Sequence, residues 1–284
     1  MSDHWDGRVA LVTGASAGIG AAIVKRFAQL GLKVIGCARN IDKIKVQNRR
    51  LVMNYRSPTR LVPSMPLNVM YHKRNKSCLC SKKSKRYMAE LMFVCLFVCL
   101  NGRSVWRHAW VLMGPGSNVC VNNAGVNHAT SIIDGKTEDW KHIFDVNVLG
   151  LSICTREAVK SMRERNVDDG HIIHINSLSG HRVVPASVIH VYSASKYAVT
   201  ALTEGLRQEL REIKSHIRVT SISPGLVKSE FTYRAYGQEA GQALYDATPS
   251  LQADDIVDAV VYALQAPPHV QVHDILIRNA GQTS

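Results

Sequence analysis

Along most of the chain, short apolar runs alternate with longer segments in which apolar residues recur every three or four positions. RVALVT (8–13) is a β-rich run that ends in a glycine-rich turn. The following GIGAAIVKRFAQLG has helical spacing at Ile19, Ala22, Ile23 and Phe27, and Gly31 is a natural stop. LKVIGCA (32–38) predicts a second strand and NVCVNN (118–123) a third. Thr137 is placed to cap a long helix reaching about Arg165, with Glu138 and Asp139 in its first turn. GHIIHINS (170–177) predicts a strand, Val191 to Lys214 a helix, and IRVTSIS (217–223) a strand. Asp254 to Gln265 predicts a helix stopped by Pro267–Pro268, and VHDILIR (272–278) a closing strand. Strands alternating with helices predict an α/β architecture, a doubly wound parallel sheet. Its strands are apolar on both sides, as a sheet covered on both faces requires.

The stretch 43–117 breaks this rhythm. It carries Pro58, Pro63 and Pro66, then the basic clusters KRNK and KKSKR, then the apolar run Leu91–Leu100. Ten apolar residues are too few for a membrane helix, so no span is expected. The chain of 284 residues has 35 Lys+Arg against 22 Asp+Glu, a formal net charge of +13. Of these, 15 basic residues and one acid, Glu90, lie in 43–117, so the remainder is close to neutral. The excess charge is therefore no argument that the whole protein binds nucleic acid. Seven Cys are too few for a disulfide scaffold and suit a reducing compartment, so a cytoplasmic location is expected. The spacing of Cys78, Cys80, Cys95 and Cys99 fits no common zinc pattern, and no metal site is expected.

Three features carry chemistry. Thr13-Gly14-Ala15-Ser16-Ala17-Gly18-Ile19-Gly20 joins the first strand to the first helix, where glycines allow a tight turn and let backbone N–H groups approach a pyrophosphate. The second strand ends in Cys37-Ala38-Arg39-Asn40, with no acid before Asp42. A carboxylate there would select a ribose 2′-hydroxyl, whereas Arg39 and Asn40 suit a 2′-phosphate, which favours NADP(H). Tyr192 and Lys196 stand four apart and so share a helix face. An ammonium there is expected to lower the phenol pKa and fit it for proton transfer to or from a carbonyl oxygen.

TGASAGIG, NNAG (122–125), Asn147 in DVNVLG, INSLSG, YSASK (192–196) and SPG (223–225) occur in this order. Together they resemble the short-chain dehydrogenase/reductase family over residues 5–42 and 118–284. The resemblance implies one Rossmann-like domain over 1–284, interrupted by the irregular segment at 43–117. It implies NADP(H)-dependent interconversion of a ketone or aldehyde with an alcohol, on a steroid-like or other small apolar carbonyl. By position, Tyr192 moves the proton, Lys196 tunes it and holds the nicotinamide ribose, and Asn147 supports the proton path. The serine that orients the carbonyl falls on Ser177, judged by Gly180 and Pro185, or on Ser179, judged by its spacing from Tyr192. Ser177 ends the strand and is preferred. Gly14, Ser16, Gly18, Ile19 and Gly20, with Asn123 and Gly125, match the cofactor cradle, and Pro224, Gly225, Val227 and Ser229 the loop at the nicotinamide carboxamide. Residues 230–249 match a variable substrate lid, with Phe231, Tyr233 and Tyr236 as candidate wall residues. His181 and His190 flank the serine–tyrosine segment, where polar loop positions are the simpler reading. The resemblance further implies a homodimer or homotetramer built on the 138–165 and 191–214 helices.

The departure is confined to one place. The family's third strand ordinarily ends in an acid at the adenine, and no Asp occurs between Lys43 and Ile133. Phe93–Leu96 and Phe97–Leu100 are the same tetrapeptide, FVCL, in tandem, which a thymine/guanine simple repeat would encode. Much of 43–117 is accordingly expected to be translated non-coding sequence. The alternatives to a working enzyme are a catalytically impaired or mis-spliced product, or a non-enzymatic protein that binds through the basic segment.

Overall fold

The structure, a computed structural model, describes residues 3–38 and 117–282. The expectations for Arg39, Asn40 and residues 41–116, including the four cysteines and the 91–100 run, lie outside the described residues.

The described strands are β1 (Val9–Thr13), β2 (Lys33–Cys37), β3 (Ser117–Asn122), β4 (His171–Ile175), β5 (Arg218–Pro224) and β6 (Asp274–Ile277). They form one sheet in the order β2-β1-β3-β4-β5-β6 with every pairing parallel. The order reverses direction between β1 and β3. In open parallel sheets the crevice at such a reversal, beyond the carboxyl ends of the strands, is where ligands bind. The Rossmann-like doubly wound α/β reading therefore holds.

Helices cover both faces. On one side α1 (Gly18–Gln29) and the C-terminal helix Ala253–Gln265 pack through Ile23, Phe27, Ile256, Val260 and Leu264 onto Ala10, Val12, Val119, Val121 and Ile173. On the other, Cys154, Ala158, Met162 and Leu210 pack onto Leu11, Cys120, Ile172 and Val219. Successive strand residues feed opposite layers, which is why the strands read as unbroken apolar runs. Gly31 ends α1 in the left-handed region at φ +86°.

One local expectation needs correction. Thr137 is not a cap: it is the first residue of α2 (Thr137–Phe144), behind Lys136, whose side chain makes no capping bond. Glu138 and Asp139 in the first turn supply the favourable charge instead. The helix expected to reach about Arg165 runs without a break to Glu164, but it is not uniform. A widened π-type turn, Asp145–Gly150, separates α2 from α3 (Leu151–Glu164), and it carries Asn147. The helix expected from Val191 is α4 (His190–Glu212). The later helices are α5 (Glu230–Tyr236), α6 (Gln238–Ala247) and α7 (Ala253–Gln265). No helix among the described residues is long and apolar enough to cross a membrane.

Candidate active site

Gly14 (φ +69°) and Gly18 (φ +53°) adopt backbone conformations that side chains disfavour. A Cβ on Gly20 would lie 2.4 Å from both the Gly14 carbonyl oxygen and the Asn123 Nδ2. One on Gly14 would lie 2.8 Å from the same nitrogen. The turn is thus closed onto the end of β3. Asn123 Nδ2 donates to the Thr13 and Gly14 carbonyls at 2.9 and 3.3 Å, and the Asn123 and Ala124 N–H groups donate to Thr13 Oγ1 at 3.0 Å each. Asn123 therefore acts through its side chain on the turn itself, and Thr13, the first residue of the motif, is its counterpart. The N-cap residue of α1, Ala17, makes no side-chain capping bond, and the first turn lacks an acid. A helix N-terminus free of negative charge beside a turn that excludes Cβ atoms fits a pyrophosphate.

Gly125 follows the same turn, 3.5 Å (by its absent Cβ) from Asn147 Oδ1. Asn147 is buried at 1 % exposure. Its Oδ1 accepts from Val126 N at 2.8 Å, and its Nδ2 donates to the Val126 carbonyl at 2.9 Å and to Ser195 Oγ at 3.1 Å. Ser195 donates in turn to the Tyr192 carbonyl at 2.6 Å. With its side chain engaged in this way, Asn147 ties the β3 turn to the start of α4, and the π-type turn is the local irregularity that brings it there. The sequence shows the Asn but gives no signal for the widened turn.

Ser177 begins a short 3₁₀ turn (Leu178–Gly180) at the end of β4, and its Oγ accepts from Ser179 N at 3.1 Å. The Ser177 hydroxyl also lies near enough to the Tyr192 phenol to hold its pKa down. Lys196 lies one turn further along α4. Its Nζ donates to the Ile175 carbonyl at 2.9 Å and stands 5.7 Å from the centre of the Tyr192 ring. Burial pushes the Tyr192 phenol above its ordinary value; the Ser177 hydroxyl works against this, and the nearby Tyr236 phenol adds to it. The expected lowering by Lys196 is not seen, because desolvation dominates. Burial also lowers Lys196, to about 8.

The lid helix α5 lies over Tyr192. The Phe231 ring centre is 5.7 Å from that of Tyr192, and the Tyr236 hydroxyl accepts from Asn127 Nδ2 at 3.0 Å. Tyr233 faces away: it stacks edge-on with Tyr245 at 5.5 Å and donates to Gln242. Only two of the three expected wall aromatics thus border the site. Asn127, which the sequence reading passed over, is buried beside Tyr236.

Beneath the lid, Pro224 ends β5, and Gly225 N donates to the Ile277 carbonyl at 2.7 Å. Val227 is buried, its carbonyl accepting from the Tyr245 hydroxyl at 3.1 Å. Ser229 caps α5, and its Cβ is 3.2 Å from where a Gly18 Cβ would stand. The 224–229 loop therefore reaches the glycine turn across the crevice. Ser16 and Ile19 lie in that turn and at the start of α1. His181 bonds Ser223 Oγ at 2.9 Å and pairs with Asp274 at 3.3 Å, and His190 is the first residue of α4. Among the described residues no cluster of three or more His, Cys, Asp or Glu could hold a metal ion.

The sequence pattern of the family described as "short chain dehydrogenase" matches residues 8–58 and 112–240. The chain is 46% identical over 287 aligned residues to dehydrogenase/reductase SDR family member 11 of Gallus gallus, covering 99% of this chain and 100% of that one. It is 37% identical to farnesol dehydrogenase of Aedes aegypti, covering 99% of each. A solved structure described as the closed form of serine dehydrogenase complexed with NADP+ superposes with a TM-score of 0.71 at 29% identity, over 97% of this chain and 96% of that chain. The chain belongs to the short-chain dehydrogenase family and is an oxidoreductase by that membership.

Proposed function

We propose that the protein is an NADP(H)-dependent reductase and dehydrogenase that interconverts a small apolar ketone or aldehyde, steroid-like or similar, with its alcohol. The observation that carries this is the placement of Tyr192 between Lys196 and Phe231, 5.7 Å from each by ring centre, with the Ser177 hydroxyl close enough to act on the phenol. Two neighbouring hydroxyls can both address a single carbonyl oxygen placed between them. A bound nicotinamide dinucleotide would supply or accept the hydride. In reduction, Ser177 orients the carbonyl oxygen and Tyr192 gives it the proton; in oxidation Tyr192 takes the alcohol proton. Lys196 spends one of its three N–H donors on Ile175, leaving two for ribose hydroxyls. The glycine turn and the N-terminus of α1 would hold the pyrophosphate, and the 224–229 loop the carboxamide. Arg39 and Asn40 support NADP(H) over NAD(H) by charge, and the NADP+-bound serine dehydrogenase agrees.

Phe144, Leu149, Tyr197 and Leu202 are exposed on or beside the helices 138–165 and 191–214, which supports a homodimer or homotetramer. A cytoplasmic setting belongs to the same reading. A second reading, a product impaired by its 43–117 segment, is favoured by the family match, which breaks between residues 58 and 112. Fluorescence titration with NADPH and NADH, followed by turnover on a panel of ketones and aldehydes, separates the two. Tight NADPH binding with turnover supports the enzyme. Binding of neither cofactor supports the impaired product.

A further inference from the structure

Lys196, Thr200, Thr203 and Arg207 recur at intervals of four, three and four, so they share the face of α4 turned to the sheet. A helix ordinarily buries apolar side chains on such a face. Here each polar group finds a partner: Lys196 Nζ the Ile175 carbonyl, Thr203 Oγ1 the His174 Nδ1 at 2.9 Å, and Arg207 Nε the Val219 carbonyl at 3.0 Å. Thr200 differs from the other three in that it bonds the turn after β4 and no strand residue. Its hydroxyl accepts from Asn176 Nδ2 at 2.9 Å and donates to the Gly180 carbonyl at 2.9 Å.

We propose that Thr200 is a positioning residue whose hydroxyl clasps both ends of the Ser177 turn to the helix that carries Tyr192 and Lys196. The proposal rests on the reading of Ser177 and Tyr192 as the pair that addresses a carbonyl. Asn176 and Gly180 bracket Ser177, so one hydroxyl fastens the turn on either side of it. A hydroxyl has a single proton and two lone pairs. With the proton given to Gly180, Asn176 must present its NH2 side, and both bonds stand together. Its own-helix alternative, the Lys196 carbonyl, is further off at 3.2 Å. Asn176 is 3 % exposed and its Oδ1 is buried with no partner among the described residues, so Thr200 is what anchors that side chain. Gly180 adds a contact without slack, since a Cβ there would lie 2.7 Å from the Lys196 carbonyl oxygen. Ser177 rides on β4 and Tyr192 on α4. The clasp therefore fixes the separation of two hydroxyls borne by different elements, which decides whether both can address one carbonyl oxygen.

Thr200→Val keeps the side chain's shape and deletes the hydroxyl, Thr200→Ser restores it, and Asn176→Ala removes the other partner. The first readout needs no turnover: the ¹³Cζ chemical shift of Tyr192 at neutral pH, assigned by Tyr192→Phe, with Ser177→Ala as the value for a phenol without the Ser177 hydroxyl beside it. Thr200→Val and Asn176→Ala should both move the resonance toward the Ser177→Ala value, and Thr200→Ser should leave it at wild type. The second is carbonyl reduction, where Thr200→Val should cost about tenfold in kcat while KM and the NADPH Kd stay within about threefold. The two variants combined should cost no more than either alone. A wild-type Tyr192 resonance in Thr200→Val overturns the clasp, as does a joint loss of melting temperature, NADPH binding and kcat that Thr200→Ser does not rescue. Should Thr200→Val fail to fold, Asn176→Ala with a wild-type resonance overturns it equally. A wild type that reduces no carbonyl, with the resonance still shifted in Thr200→Val, overturns the reductase reading and leaves the clasp standing.

Discussion

Around Gly14 and Gly20 the molecule works by leaving side chains out; around Lys196 it works by burying polar ones and pairing them. The first region is limited by space, since added Cβ atoms would meet backbone and the Asn123 amide at 2.4 to 3.0 Å. The second is limited by hydrogen bonds. Asn147, Ser195, Lys196, Thr200, Thr203 and His174 are all enclosed or partly enclosed, and each is held by a named partner. A crevice that must admit a dinucleotide backbone needs open N–H groups and no side chains in the way. A site that must place two hydroxyls within bonding distance needs rigid polar anchors, because an unpaired buried group costs more than a paired one returns. The two regions should accordingly fail in different ways.

The largest effect is expected at Tyr192. Tyr192→Phe should lower kcat for carbonyl reduction by about a thousandfold while the NADPH Kd, read by fluorescence, moves only a few fold. Ser177→Ala should cost more than Ser179→Ala, since Ser177 is the serine that acts on the Tyr192 phenol. The reverse ranking would transfer the orienting role to Ser179. Gly20→Ala should do the opposite of Tyr192→Phe. Its Cβ collides with fixed backbone, so folding should lose about 1–3 kcal/mol in denaturant titration. NADPH should bind roughly tenfold or more weaker, with kcat at saturating cofactor least affected. If Gly20→Ala lowers kcat and leaves the NADPH Kd alone, the division between the two regions is wrong.

Arg39→Glu should shift the kcat/KM ratio of NADPH to NADH by about tenfold or more toward NADH, because a carboxylate repels a 2′-phosphate and accepts from a 2′-hydroxyl. An unchanged ratio would remove Arg39 from the cofactor. The smallest effect concerns acid stability on the catalytic side. Burial holds His171 and His174 down to about 3 from an ordinary 6.5. Between those values the unfolded chain takes up protons that the folded chain refuses, so stability is full above about 6.5 and falls as pH drops toward 3. His174→Asn, which cannot be protonated, should flatten part of that fall in urea melts at successive pH values. A slope identical to wild type would mean that His174 is not held neutral by the fold.

Much of this was legible in the chain itself. Strand and helix rhythm, together with the glycine turn, predicted a parallel doubly wound sheet, and β1 to β6 fall where the apolar runs stand. That works because a strand covered on both faces must be apolar throughout, and a phosphate turn must be glycine-rich; both are demands on residue type at a position. Tyr192, Lys196 and the two candidate serines were visible for the same reason. Three things were not. Thr137 has the residue type of a cap, yet capping depends on where the chain enters the helix, and it enters one residue earlier. The expected fall in the Tyr192 pKa followed from a charge four residues away, whereas the sign is set by how completely the folded protein excludes water from the phenol. The choice between Ser177 and Ser179, and the roles of Asn127 and Thr200, depend on which side chains meet across the β4–α4 boundary and under the lid. Such meetings join residues 15 to 109 positions apart in the chain, so no local pattern encodes them; packing decides them.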